Sequence, residues 1–230
     1  MLKDPPLLTV RRSFERPLLA QVDKLAGAQS GHLIDALLGR GALDAAIKPV
    51  DPSRASFVGV ALPCETQAND NLAILAALAH AKPGDVIVAG SDGFTRSAVV
   101  GDNVAMMAKN AGVRAIVVDG MARDLEGLEG VGLPVFALGI TPNSCVRSGP
   151  GKVGLPVVVG GVRVEAGDVV LGDRDGVVIV PRGELSDVLG KLDEIRAAEN
   201  EVQDRIRSEK LATIDSVKTL LASDRTVYVD

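Results

Sequence analysis

The chain predicts an α/β fold, and three features of its 230 residues carry that expectation. Short Val/Ile-rich runs alternate with helical stretches of about ten residues, the pattern of parallel strands joined by crossover helices. Between Pro156 and Val180 lie three closely spaced Val-rich strands broken by glycine-containing turns, which read as hairpins of a second sheet. Beyond them, from about Gly183 to Lys210, Leu185, Val188, Leu189, Leu192, Ile195, Val202 and Ile206 recur at helical spacing and predict one long helix.

Taken in order, the spacing predicts a helix over Ser13 to Leu25 and a second from Ser30, read as its N-cap, to Leu38, ended by Gly39 and Gly41. Ser56 to Leu62 reads as a strand. A helix over Asp70 to Ala81 stops at Pro83-Gly84, and Asp85 to Ala89 is a short buried strand. The unit then repeats, with a helix over Asp102 to Ala111 ended by Gly112, a strand over Arg114 to Asp119, a helical turn from Arg123 to Glu129, and an apolar run from Pro134. Gly160-Gly161, Ala166-Gly167-Asp168 and Asp173 to Gly176 punctuate the Val-rich region as turns.

Composition narrows the function. With 47% apolar and 24% charged residues the chain can bury a substantial core. The net charge is −5, and the basic stretch Arg205 to Lys210 is interleaved with acids, so no nucleic-acid partner is expected. The apolar runs are far shorter than the roughly 20 residues of a membrane span. The opening Met1-Leu-Lys-Asp-Pro-Pro has no basic segment followed by an apolar one, so the cytoplasm is the expected compartment. Cys64 and Cys145 stand far apart and fit two reduced thiols. The only histidines, His32 and His80, have no Cys or His at ligand spacing, so any metal must be held mainly by oxygen, which favours magnesium or manganese over zinc.

Three constellations could carry chemistry. The strand Val117-Val118-Asp119 ends in Gly120 and delivers Arg123-Asp124 one turn later, at the end of a parallel strand where α/β sheets place ligands. A carboxylate there can bind a hard cation, and the guanidinium fork can hold an oxygen of the same ligand. A surface pair capping the next helix is the plainer alternative. Gly101-Asp102-Asn103 opens a helix whose first amides, at Asn103 and Val104, suit an anion, while Asp102 alone would serve as an N-cap. Glu199 falls on the apolar stripe of the long helix. Either it reaches solvent at the edge, or it enters a site, including one on a neighbouring subunit. His32, alone on its short helix, reads as a structural residue. No Gly-rich phosphate loop, nucleophile elbow or dinucleotide fingerprint is present.

As an ordered set, Gly101-Asp102, Val118-Asp119-Gly120, Arg123-Asp124, Pro134-Val-Phe-Ala, Pro156-Val, Gly160-Gly161-Val162, Gly167-Asp168 and Asp173 to Pro181 resemble the RraA-like family. That family includes 4-hydroxy-4-methyl-2-oxoglutarate/4-carboxy-4-hydroxy-2-oxoadipate aldolases and regulators of ribonuclease E. The resemblance covers roughly Ser30 to Pro181. It implies a three-layer β/β/α swivelling fold with N-terminal helices, assembled as a homotrimer or homohexamer with sites at subunit boundaries. Residues 1–181 would form the catalytic domain, and 182–230 a helical arm of the kind that the aldolases carry and the shorter regulators lack.

The resemblance further implies a metal-dependent pyruvate aldolase acting on a small 2-oxo acid, with oxaloacetate decarboxylase activity. Asp124 would ligate Mg²⁺ or Mn²⁺, Arg123 would hold the keto or enolate oxygen, and Gly101, Asn103 and Val104 would line the carboxylate site. Asp102 would hold a water of the metal shell, and Glu199 would act at a neighbour's site. A non-catalytic regulator that binds ribonuclease E or another protein is the alternative the same family offers.

Overall fold

The computed structural model describes residues 6–230. The first five residues, part of the stretch read as lacking an export signal, lie outside the described residues. After β1 (Leu8–Val10) the chain stays irregular through residue 18, so the helix expected over Ser13 to Leu25 is shorter than its pattern implied. The cause is a buried anchor: Arg16 donates from Nε at 2.9 Å and from Nη2 at 2.8 Å to the carboxylate of Asp85, which is 1% exposed. Pro17 follows directly, and only α1 (Leu19–Val22) and a 3₁₀ turn, Asp23–Leu25, are helical. In α2 (Ser30–Ala36), Ser30 is the first helical residue rather than the cap. Its N–H donates to Asp173 Oδ2 at 2.7 Å, and Gln29 holds the cap position.

The chain continues through β2 (Lys48–Pro49), β3 (Phe57–Glu65), α3 (Leu72–Leu78), β4 (Asp85–Gly90), β5 (Ala98–Val100), α4 (Asp102–Asn110), β6 (Ala115–Val118), β7 (Met121–Ala122) and α5 (Leu125–Val131). Next come β8 (Val135–Ala137), β9 (Gly139–Ile140), β10 (Gly151–Val153), β11 (Val157–Val159), β12 (Val162–Val164), β13 (Val169–Gly172) and β14 (Val177–Val180). Helices α6 (Leu185–Glu209) and α7 (Asp215–Leu221) complete it.

Strands β3, β4, β6 and β8 pair in parallel in that order, as the alternation of elements predicts. Along its other edge β3 changes partner: Phe57 to Val60 pair with β13, whereas Cys64 and Glu65 pair with β10. Pro63, which has no N–H to donate, sits at this change of partner. The reading of the Val-rich region needs two corrections. It holds four strands, not three, and only the β11–β12 hairpin stands apart from the main sheet. Hairpin β13–β14 joins that sheet through β3 because every residue of both strands is buried, so neither face can be turned to water.

Alternation along the parallel strands divides the core. Ile87, Ala89, Ile116 and Val118 pack with α3, α4 and α5, while Val86, Val88, Ala115, Val117 and Phe136 pack with the β11–β12 hairpin. These are the three expected layers. Helices α1, α2 and the start of α6 cover a further cluster built on Val58, Val60, Val169 and Leu171. The stripe on α6 is used in halves: Leu185, Val188 and Leu192 are buried, but Val202 and Ile206 are 51% and 43% exposed. Val217, Leu220 and Leu221 of α7 are exposed as well. No helix of the described residues is long and apolar enough to cross a membrane.

Candidate functional site

A three-stranded parallel sheet of its own, ordered β5-β7-β9, builds the site. Each strand is two or three residues long, and beyond its end each delivers one wall of a small cavity of about 100 Å³. Strand β5 leads through Gly101 into α4, β7 leads into Arg123-Asp124 and α5, and β9 leads into the loop that carries Ser144, Cys145 and Arg147. The Arg123 N–H donates to Val100 O at 3.0 Å, which sets the first two walls side by side. Gly101, Asp102, Asn103, Val104, Arg123 and Asp124 all line this one cavity.

Arg123 lies outside the helical turn expected from residue 123, because α5 begins at Leu125. Asp124 occupies the cap position with φ 60° and ψ 51°, a left-handed conformation that costs a non-glycine residue energy and that Asp tolerates better than most. Its side chain makes no capping bond. Oδ2 lies 3.2 Å from Arg123 Nε instead, and both side chains remain more than a third exposed at the cavity mouth. A mere helix cap would bond the α5 amides through its carboxylate, and this one bonds none of them. The Arg123 Nη1 also donates to Ser144 Oγ, which aims the guanidinium across the cavity.

Asp102 is the first residue of α4, and Gly101 holds the cap position expected for Asp102. Asp102 Oδ1 accepts from the Asn103 N–H at 2.6 Å, so that amide already has a carboxylate partner, while the Val104 amide belongs to the unpaired first turn. Across from Asp102, a Cβ on Gly127 of α5 would lie 2.7 Å from Asp102 Oδ2, a contact that only glycine permits. Cys145 closes the cavity beside Arg147. Burial pushes its thiol above the ordinary value, Asp70 adds to the rise, and Arg147 and Arg123 oppose it. Burial alone pushes the Cys64 thiol up to about 12.

Asp119 does not join this cavity. Its Oδ1 accepts from the Ser91 N–H at 2.6 Å and from Ser91 Oγ at 3.2 Å, on the other side of β6. Glu199 does not line the cavity of its own chain either. It accepts from His32 Nε2 and, at 3.0 Å, from Gln203 Nε2, and the His32 bond holds its carboxyl below the usual value. His32, read as merely structural, thus has a specific partner in docking α2 on α6, and its Nδ1 is buried without one. Ser144, Cys145 and Arg147 were missed at the sequence level. They follow a two-residue strand, too short to show any period.

The carboxylates of Asp124 and Asp102 fit a hard cation that takes one or two protein oxygens and completes its shell from water and substrate. No group of three or more His, Cys, Asp or Glu side chains forms a closed metal cage among the described residues.

Residues 30–179 match the family model described as RraA-like, Aldolase/RraA. A protein of Halalkalibacterium halodurans named "Putative 4-hydroxy-4-methyl-2-oxoglutarate aldolase" is 37% identical over 180 residues, covering 78% of this chain and 85% of its own length. Two solved structures are similar in fold. One is described as the RNA-processing inhibitor RraA from Thermus thermophilis, with 33% identity and a TM-score of 0.60, spanning 67% of this chain and 93% of that one. The other is Streptomyces coelicolor RraAS2, described as an unusual member of the RNase ES inhibitor RraA protein family, with 25% identity and a TM-score of 0.74, spanning 83% of this chain and all of that one. Fold, ordered motifs and the match over residues 30–179 agree: the chain belongs to the RraA-like family.

Proposed function

We propose that the chain is a divalent-metal-dependent lyase, a class II pyruvate aldolase that cleaves 4-hydroxy-2-oxo acids such as 4-hydroxy-4-methyl-2-oxoglutarate and also decarboxylates oxaloacetate. The observation that carries this reading is the Asp124 carboxylate and Arg123 guanidinium, 3.2 Å apart, opening into one cavity with the first turn of α4. The aldolase name of the relative from H. halodurans supports it.

In this reading Asp124 holds Mg²⁺ or Mn²⁺, with Asp102 supporting the ion's water shell. When bound, the ion supplies Lewis-acid withdrawal of charge at the 2-oxo group. The substrate carboxylate lies against the start of α4, where Val104 offers its amide and Asn103 contributes once Asp102 releases it. Arg123 donates to the 2-oxo oxygen. As the proton leaves the 4-hydroxyl and the C3–C4 bond breaks, the electron pair moves toward C2 and negative charge grows on the oxygen that Arg123 faces. Such preorganised donors commonly lower a barrier by about 3 kcal/mol. Asp102 relays the hydroxyl proton, and protonation of C3 then yields pyruvate. Glu199 acts in the site of a neighbouring subunit, carried there by the half of α6 whose Val202 and Ile206 lie uncovered, in a homotrimer or homohexamer.

The deciding experiment is pyruvate release from oxaloacetate and 4-hydroxy-2-oxo acids with Mg²⁺, coupled to lactate dehydrogenase. Turnover abolished by chelator and restored by Mg²⁺ or Mn²⁺ is the expected result, and chelator-insensitive release rejects the mechanism. The inhibitor descriptions of the two solved relatives favour a second reading, a regulator that binds a ribonuclease. That reading requires no pyruvate release and co-purification with the ribonuclease.

A further inference from the structure

Helices α2 and α6 pack along a cleft of about 540 Å³, with His32 and Asp35 on one side and Ile195, Ala198, Glu199 and Val202 on the other. The cleft lies where the apolar stripe of α6 passes from covered, at Leu192, to uncovered, at Val202. Glu199 stands at that passage with its side chain 39% exposed, and both of its oxygens are held. Oε2 accepts from His32 Nε2 and Oε1 from Gln203 Nε2 at 3.0 Å. A carboxylate offers about four lone pairs, so about two stay free for a further donor.

The two donors differ in kind. Gln203 lies one turn along the same helix, whereas His32 is 167 positions away and comes from α2, whose first amide is anchored on Asp173 at 2.7 Å. The His32 side chain is 11% exposed, and its Nδ1 is buried without a partner. A bare ring nitrogen is tolerated there better than an unmet N–H, so the packing keeps the tautomer whose Nε2 proton points at Glu199. Asp35 shares the cleft without bonding Glu199, and Arg196, one turn before Glu199 on α6, pairs with Asp193. Among the described residues His32 is thus the one basic side chain that reaches this carboxylate.

We infer that His32 is a positioning residue, which fixes the direction of the Glu199 carboxylate so that this acid meets the neighbouring subunit's site in a single orientation. The inference rests on the reading in which Glu199 serves that site. A glutamate loose on a helix surface samples many rotamers and must be ordered at the moment of reaction, whereas one already tied from a second helix is ordered in advance.

The test measures pyruvate release from 4-hydroxy-4-methyl-2-oxoglutarate with Mg²⁺ across pH, at checked oligomeric state. His32→Ala is expected to lower kcat on the order of 10-fold with KM within about 2-fold of wild type. The His32 bond holds the Glu199 carboxyl below its usual value. Its loss raises that value, so the acidic limb of the kcat profile, where Glu199 takes up its proton, should move to higher pH. His32→Gln, whose amide nitrogen can stand in for Nε2, should recover most of kcat. Added to Glu199→Gln, His32→Ala should cost nothing further. Should the alanine variant not assemble, His32→Asn, polar but too short to reach Glu199, takes its place in the same comparison. An equal fall in both backgrounds, or an unmoved acidic limb, overturns the inference while leaving the lyase reading intact. Full turnover in Glu199→Gln overturns it too, and wild-type protein that releases no pyruvate overturns the lyase reading as well.

Discussion

The Asp124 Oδ2 lies 2.6 Å from the point where a side chain on Gly101 would begin. Gly101 has φ −139°, an extended backbone open to any residue, so close approach and not conformation demands glycine here. The opening between α4 and the Arg123-Asp124 pair exists because that position carries no Cβ.

Gly101→Ala should therefore displace the Asp124 carboxylate while leaving the fold in place. A misplacement of about 1 Å at a reacting centre costs on the order of 100-fold in rate, whereas the added methyl costs about 1–3 kcal/mol of stability. Steady-state kinetics beside a thermal melt separate the two. A variant with wild-type kcat/KM would show that the carboxylate's position is unimportant.

Arg123→Lys keeps a positive charge but loses the fork that faces Ser144 and the cavity. It should lower kcat by about 100-fold with little change in melting temperature. Asp124→Asn should raise the Mg²⁺ concentration for half-maximal activity by at least about 10-fold, readable as a metal titration at saturating substrate.

Asp119 gives a pH prediction whose sign follows from its surroundings. Burial holds its carboxyl above the ordinary value of 3.8 despite two bonds from Ser91. The folded state therefore keeps a proton that the unfolded chain has lost. The resulting cost to stability is absent below 3.8, grows as pH rises toward the raised folded value, and is full above it. Asp119→Asn keeps an acceptor for the Ser91 amide. It should melt above wild type at about pH 7, with the difference shrinking toward about pH 3.5. A difference that widens on acidification would contradict this account.

Glu199→Gln tests the arm. The His32 contact is partly exposed, so the substitution should leave the melting temperature close to that of wild type. A fall in kcat of at least about 10-fold at unchanged oligomeric state is expected from an acid that serves a neighbour's site. Unimpaired turnover would confine Glu199 to docking α2 on α6.

Much of the main sheet was legible because Ile87, Val88, Ile116 and Val117 sit in runs long enough to announce buried parallel strands, and the helices between them have clear stops at Gly112 and Pro83-Gly84. The helix over residues 13–25 misled because its apolar spacing ignored Arg16, whose ion pair with Asp85 is a contact 69 positions away in sequence. The Arg-Asp pair and the start of α4 could be read from adjacent residues. The wall holding Ser144, Cys145 and Arg147 could not, since what places it is the pairing of β7 with β9 over two residues each. His32 opposite Glu199 is likewise a meeting of distant helices that no local spacing encodes.

Asp70 binds more than one loop. Its Oδ1 takes the Leu72 amide at 2.8 Å at the head of α3 while Oδ2 takes those of Ser148 and Gly149. One inaccessible carboxylate thus bolts the outer rim of the cavity to a helix of the core. Asp70→Asn, with one oxygen fewer to share between them, would loosen the Arg147 wall and the head of α3 together.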